Sequence, residues 1–246
     1  MANRYYLESM LDEKTALLSQ EETHHITKVM RKKIGDQIEL LDGENHLFQA
    51  EILAIEEQKI RAGILEVRTI NREIAKKVFL VQGLCKGDKM DFIVQKATEL
   101  GVSGIYPVST LRSDIRLNEE KARKKQERWQ KIAKEATKQC RRGVIPAVNP
   151  VSSLKDFLAE QNVADGVVLA LYEDEKMTSI RDILPKITEE YLYLIVGPEG
   201  GFDLKEIEWM KSIGVHSVSL GNRTLRTETA GILGISCVYY EFGDQL

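Results

Sequence analysis

Apolar and polar positions follow two different patterns along this chain, and the change falls near residue 72. Before it lie short runs of strand length: Ile38-Glu-Leu-Leu41, Leu47-Phe-Gln-Ala-Glu-Ile-Leu53 and Lys59-Ile-Arg-Ala-Gly-Ile-Leu-Glu-Val67. Asp42-Gly43 has the composition of a hairpin turn between the first two. A short helix precedes them, running through His24, His25 and Val29 to Arg31, with Ser19 and Glu22 spaced as a capping box. Several short strands with one helix predict a small barrel over residues 1–72.

Beyond that point strand-like runs alternate with helical ones. Lys77–Gln82, Gly104–Val108, Gly166–Tyr172, Tyr191–Val196 and Val215–Leu220 are short and apolar. Between the first two, Asp88 opens a helix whose apolar residues Met90, Ile93, Val94, Ala97 and Leu100 share one face, and Gly101 stops it. Asn118 opens a long amphipathic helix with Ala122, Trp129, Ile132, Ala133 and Ala136 inward. A further helix is expected near Ser152 to Gln161, and Asp203 with Glu206 forms a second capping box ahead of Ile207 and Met210. An apolar helical run from Ile232 to Tyr240 ends the chain. Strands alternating with helices predict an α/β domain over residues 73–246, with a parallel sheet covered on both faces.

Charge adds one feature to this picture. The chain carries 35 Lys or Arg against 38 Asp or Glu, but Leu111–Arg142 holds 12 basic and 5 acidic residues. A basic segment in an otherwise acidic protein is an electrostatic footprint for a polyanion, or else a solvated helix face. Cys85, Cys140 and Cys237 are odd in number and widely spaced, so neither a disulfide framework nor a Cys-x-x-Cys metal site is indicated. No apolar run approaches the roughly 20 residues that span a bilayer. The start, Met-Ala-Asn-Arg-Tyr-Tyr, lacks the apolar core of a secretory signal. A cytoplasmic protein with no membrane or metal partner is expected. Gly-x-Gly-x-x-Gly, phosphate-loop and Gly-x-Ser-x-Gly motifs are missing, and His24, His25, His46 and His216 lack zinc-ligand spacing, which disfavours redox and hydrolytic chemistry.

Two strand ends carry the candidate chemistry. Tyr191-Leu-Tyr-Leu-Ile-Val196 stops at Gly197-Pro198, and Gly200 and Gly201 leave a backbone stretch free of side chains that a ligand can approach closely. The run ending at Leu220-Gly221 leads into Asn222-Arg-Thr-Leu-Arg-Thr-Glu-Thr-Ala230 and the last helix. Parallel strands place both turns along one sheet edge, where open α/β sheets hold ligands.

The pair Ile195-Val-Gly-Pro-Glu-Gly-Gly-Phe202 and Leu220-Gly-Asn-Arg-Thr-Leu-Arg-Thr-Glu-Thr-Ala230 resembles the signature of the RsmE family. These are SPOUT-class methyltransferases that use S-adenosyl-L-methionine on a uridine of 16S ribosomal RNA. The likeness extends to the N terminus, where Arg4-Tyr5-Tyr6, His25 and Val29-Met-Arg31 identify the barrel as a PUA-like RNA-binding module. The resemblance implies a trefoil knot at the C terminus, a homodimer formed through it, and a substrate within the small ribosomal subunit. It also implies a cofactor site from Leu171, Tyr172, Gly197, Pro198, Glu199, Gly200, Gly201, Leu220, Gly221, Leu225, Thr229 and Ala230. RNA contacts are expected at Arg4, Tyr5, His25, Arg31, Lys86, Lys96, Arg112 and Arg142, with Lys96 equally suited to a surface pair with Glu99. Arg141 and Arg142 stand in tandem, and which of them matches the family's arginine is uncertain by one place.

Methylation of uridine N3 requires removal of an imide proton, which a carboxylate can take, and a cation can stabilise the resulting anion. Arg226, Glu228 and Glu199 are the candidates. A first-turn glutamate such as Glu228 is also stabilising through the helix dipole alone. Two rival readings stand beside this one: a SPOUT-class ribose 2′-O-methyltransferase, and an RNA-binding assembly factor without turnover.

Overall fold

The computed structural model describes residues 4–160 and 166–243, so the end of the helix expected up to Gln161 lies outside the described residues. The chain divides into two compact units, 1–73 with 137–145, and 74–136 with 146–246.

The first unit is a closed barrel of β1 (Arg4–Asp12), β2 (Thr15–Leu18), β3 (Gln37–Leu41), β4 (His46–Glu56) and β5 (Lys59–Thr69). Its strand order is β1-β2-β5-β4-β3, and the parallel pairing of β1 with β3 closes it. The period-two pattern of β4 places Phe48, Ala50 and Ile52 in the interior with Tyr5, Leu18, Ile26, Leu40 and Ile60. Asp42 holds the β3–β4 turn by accepting from the Glu44 and His46 amides. β1 escapes a pattern reading because Glu8–Asp12 are all exposed and show no alternation, and β2 because it is only four residues long.

The helix at Ser19 is α1 (Gln20–His24), continued by a π-helical turn over His25–Val29. Only half of the expected capping box forms. Ser19 accepts from the Glu22 amide, but the Glu22 carboxylate turns to the Tyr6 amide and to Lys138. Residues 137–145 complete the barrel unit. The Asn45 amide donates to Gly143, and Arg142 clasps Glu73 with two guanidinium nitrogens.

The second unit is a parallel sheet of β6 (Lys77–Gly83), β7 (Gly104–Ser109), β8 (Ala147–Val148), β10 (Gly166–Leu171), β11 (Tyr191–Val196) and β12 (His216–Val218), in the order β12-β10-β11-β6-β7-β8. β9 (Ser152–Ser153) pairs with the far end of β7. Helices α2 (Lys89–Glu99), α3 (Glu119–Cys140), α4 (Leu154–Glu160), α5 (Ile180–Ile183), α6 (Leu204–Ser212) and α7 (Thr227–Phe242) connect and cover the strands.

β11 is central, and its alternate residues feed two cores. Leu192, Leu194 and Val196 pack in one with Leu80, Ile93, Trp129 and Ile235; Tyr193 and Ile195 pack in the other with Phe157, Ile207 and Met210. Burial on both faces explains why β11 is apolar throughout. Register then sets the site: Val196 pairs with both Leu171 and Gln82, and Leu171 also pairs with Val218. Four strands therefore end at one level. From the β12 edge the chain doubles back to α7, which packs on α2, β6 and β11, while the connection after β10 runs beside Ser219 through the Ser179 bridge. The resemblance places its knot in this doubling back.

Candidate functional site at the strand ends

Where the four strands end, two adjoining cavities of about 190 and 50 Å³ share Glu173, Leu225 and Ala230. Gly197, Pro198, Glu199, Gly201 and Arg226 line the larger lobe; Leu171, Tyr172, Leu220 and Gly221 line the smaller. Most of the expected cofactor residues thus converge on one cleft. The wall of Leu171, Leu220, Leu225 and Ala230 is apolar, and Glu173, Arg223 and Thr224 supply polar groups. A Cβ on Gly221 would meet nothing within 4 Å, so the main chain is bare there. An apolar slot with a few polar groups and bare backbone fits an adenosyl group carrying a charged amino-acid tail.

Two expected members stand apart. Gly200 backs onto the 110–117 loop, because a Cβ there would lie 3.3 Å from the Arg112 carbonyl oxygen. Gly201 is the glycine in the lining; it holds φ +66° with the Glu173 carboxylate where a side chain would project. Thr229 is exposed and lines neither cavity.

A buried bracket holds the cleft together. The Thr227 hydroxyl donates to the Gly197 carbonyl at 2.6 Å and accepts from the fully buried Gln82 amide at 2.9 Å. β6 presses against the same turn at Gly83, where a Cβ would lie 2.6 Å from the Pro198 nitrogen. Thr227 and Gln82 were missed as site residues, since a first-turn threonine and a strand glutamine carry no local signature. Glu173 was within reach, as the residue following the expected Leu171-Tyr172. Beside the bracket, burial pushes the Cys85 thiol up to about 12, against the Thr227 hydroxyl hydrogen bond, so it stays a neutral thiol.

The three candidate charged residues differ sharply. Glu199 accepts from the Lys86 amide at 2.9 Å and from the Lys89 ammonium at 3.1 Å. Burial raises its carboxyl, but hydrogen bonds from its own amide, from Lys86 and from Lys89 outweigh that and hold it below the usual carboxylate range. Such a carboxylate is a poor proton acceptor. Arg226, exposed on the cleft wall, has no ion pair among the described residues. Glu228 is half-buried, and its Oε2 is buried without a hydrogen-bond partner.

On the same edge, Lys86 pairs with Asp114, and Arg112 reaches the Gly200 carbonyl and Asp203 at 3.4 Å. Asp203 caps α6 through the Lys205 amide. Glu206 takes the Leu111 amide at 3.0 Å, and burial raises its carboxyl. Lys96 pairs with Glu99 at 2.8 Å, the surface pair that its spacing also allowed. In the basic helix, Arg128 pairs with Asp91 and Lys125 lies over the Trp129 ring.

The barrel unit reassigns several expected RNA contacts. Tyr5 is 1% exposed and belongs to the barrel core. Arg4 is held by Glu39 and by the Arg141 carbonyl. Arg142 is buried against Glu73, so of the tandem pair it is Arg141, at φ +62°, that is exposed. His25 and Arg31 are exposed, with the His25 ring edge-on to Tyr5 at 5.8 Å.

Among the described residues no helix is long and apolar enough to cross a membrane, and no cluster of three metal-ligating side chains occurs.

The sheet edge and the barrel together define an RNA methyltransferase: the RNA methyltransferase domain family matches residues 72–239, and the RNA methyltransferase PUA domain family matches residues 18–65. The ribosomal RNA small subunit methyltransferase E of Bacillus subtilis is 36% identical over 97% of this chain and 96% of its own length. The enzyme of that name from Neisseria gonorrhoeae, solved bound to S-adenosyl methionine, superposes with a TM-score of 0.87 at 30% identity over 98% of both chains. A Legionella pneumophila protein solved with bound cofactor SAM gives a TM-score of 0.89 at 34% identity over 100% of both chains. The chain belongs to the ribosomal RNA small subunit methyltransferase E family.

Proposed function

We propose that this protein methylates N3 of a uridine in 16S ribosomal RNA, using S-adenosyl-L-methionine. The observation that carries this reading is the contrast at the strand ends: Arg226 without a partner on the cleft wall, and Glu228 with an orphaned buried oxygen two residues on. When bound, the cofactor supplies a methyl group already activated by its sulfonium. Leu171, Leu220, Leu225 and Ala230 would hold the adenine, and Gly197, Pro198, Gly201 and Gly221 would offer main chain to the rest. Glu228 would take the N3 proton, leaving the nitrogen with a lone pair able to accept the methyl that the sulfonium would release as a neutral thioether. Arg226 stabilises the charge that spreads onto the uracil carbonyl oxygens. Glu199 is a positioning residue that fixes Lys86 and Lys89 beside the turn.

On the RNA side, Arg31, His25 and Arg141 are exposed candidates in the barrel unit, and Lys86 and Arg112 are exposed candidates at the sheet edge. The reading includes a cytoplasmic homodimer formed through α7, whose Tyr240 is 89% exposed. Sedimentation of the purified chain tests the dimer. Mass mapping of ribosomal RNA from cells lacking the protein tests the reaction. Loss of one base methyl on uridine is expected; loss of a ribose methyl instead would transfer the protein to 2′-O chemistry.

A further inference from the structure

A cavity larger than the cleft opens elsewhere on the sheet unit. It measures about 560 Å³ and lies between the β7–α3 connection and the β9–α4 corner. We propose that it receives a second nucleotide of the RNA strand, a neighbour of the acceptor uridine. The proposal rests on the methyltransferase reading of the cleft and adds a base-specific subsite to it.

Position comes first. Leu84, in the cavity wall, follows directly on Gln82-Gly83, which pack against the Gly197-Pro198 turn. On the other side, Leu111 lines the cavity while the next residue, Arg112, covers Gly200. Cavity and cleft are thus separated by a thin partition, held by Glu206 on the Leu111 amide and by Lys86 on Asp114. A strand that presents one base to the cleft passes over this partition.

Chemistry narrows the occupant. Leu84, Ile115, Leu117 and Val151 give an apolar lining suited to the faces of a flat ring. Arg116 stands at the rim with no ion pair or hydrogen bond among the described residues, free to meet a phosphate. Glu119 and Asp156 also line the cavity and disfavour a bare anion, but they accept hydrogen bonds from base amino groups and ribose hydroxyls. A cation, two carboxylates and an apolar lining together suit a nucleotide rather than a free phosphate. The volume lies within the roughly 300–1,000 Å³ of small-molecule sites.

The test is equilibrium binding of a short single-stranded RNA spanning the methylated uridine, with each neighbouring base replaced in turn by an abasic unit. The proteins are the full-length parent, Arg116→Glu, and Ala122→Phe, which fills the cavity from the first turn of α3. Arg116 is exposed, so its variant folds even if Ala122→Phe does not. In the parent, one neighbouring abasic position is expected to weaken binding about tenfold. In both variants the intact RNA should bind about tenfold more weakly, and in Ala122→Phe, where the base has no room, that abasic position should cost nothing further. Cofactor affinity, measured by calorimetry, should be unchanged throughout. Undiminished RNA affinity in Arg116→Glu, identical abasic profiles in the parent and a folded Ala122→Phe, or a parent insensitive at every neighbouring position would overturn the proposal. A parent that binds with the expected profile but yields no N3 methylation would instead sink the reading of the cleft and leave the subsite standing.

Discussion

Three buried or part-buried cations of the barrel unit contrast with two exposed arginines of the sheet unit. In the barrel unit, Arg4 is spent on Glu39, Arg142 on Glu73 and Lys138 on Glu22, all with little exposure. In the sheet unit, Arg226 and Arg116 are exposed and have no ion pair among the described residues. A buried charge must be paired, because its desolvation is otherwise uncompensated. A charge left free beside a cleft gains nothing for the fold and remains available to a ligand. The residue type is the same in both regions; the pairing separates structural from functional use.

Breaking a barrel pair should give the largest effect. Arg142→Ala leaves Glu73 part-buried without its partner, and about 3–5 kcal/mol of stability should be lost. Urea unfolding of the full chain measures it, and a loss below about 1 kcal/mol would place Arg142 among the free cations after all. Arg226→Ala, by contrast, should leave unfolding unchanged and lower single-turnover methylation by about 10²–10³, with cofactor affinity held. Equal losses in rate and cofactor binding would make Arg226 a cofactor ligand.

Two carboxylates sharpen the contrast: Glu199 lines the cleft, and Glu228 lines neither cavity but sits between the lining residues Thr227 and Ala230. Glu228→Gln should slow methylation at neutral pH by about 10²-fold, with partial recovery as pH rises and uracil ionises unaided. Glu199→Gln, which keeps an acceptor for the Lys86 amide, should cost less than about tenfold and show no such recovery. A pH–rate profile for each variant checks both, and pH rescue of Glu199→Gln in place of Glu228→Gln would exchange their roles.

The smallest effect concerns acid stability. Glu175 accepts from Lys211 at 2.9 Å and from the Met177 amide, and the Lys211 bond leads in holding its carboxyl down at about 2. A depressed folded value means that the contribution is complete above the ordinary 4.5 and is lost as pH falls through about 2. Lys211→Met should raise the pH of acid unfolding slightly and cost about 0.2–1 kcal/mol at neutral pH, since Lys211 is half-exposed. An unchanged acid midpoint would show that the Met177 amide and the Ser217 hydroxyl hold Glu175 without Lys211.

What local pattern can specify, this sequence specified. The apolar run of β11, the stop at Gly197-Pro198 and the start of α7 at the Arg-Thr-Glu-Thr stretch follow from strand propensity, turn chemistry and helix periodicity. The motif pair placed its two turns at one sheet edge, because parallel strands bring their ends together, and the resemblance added Leu171, which shares a cavity with Leu225 and Ala230. Half-formed capping boxes mark where local reading ends: Glu22 has helix spacing, yet its carboxylate goes to Tyr6 and Lys138. Tertiary structure alone decided the partners separated by long stretches of chain: Arg142 with Glu73, Gln82 with Thr227, Arg112 against Gly200. It also made Arg141 rather than Arg142 the exposed arginine, and opened a cavity between segments near residues 84, 110 and 152. The reason is physical. Secondary structure answers to neighbours within a turn or two, whereas burial and ion pairing answer to whatever the packed chain brings into contact.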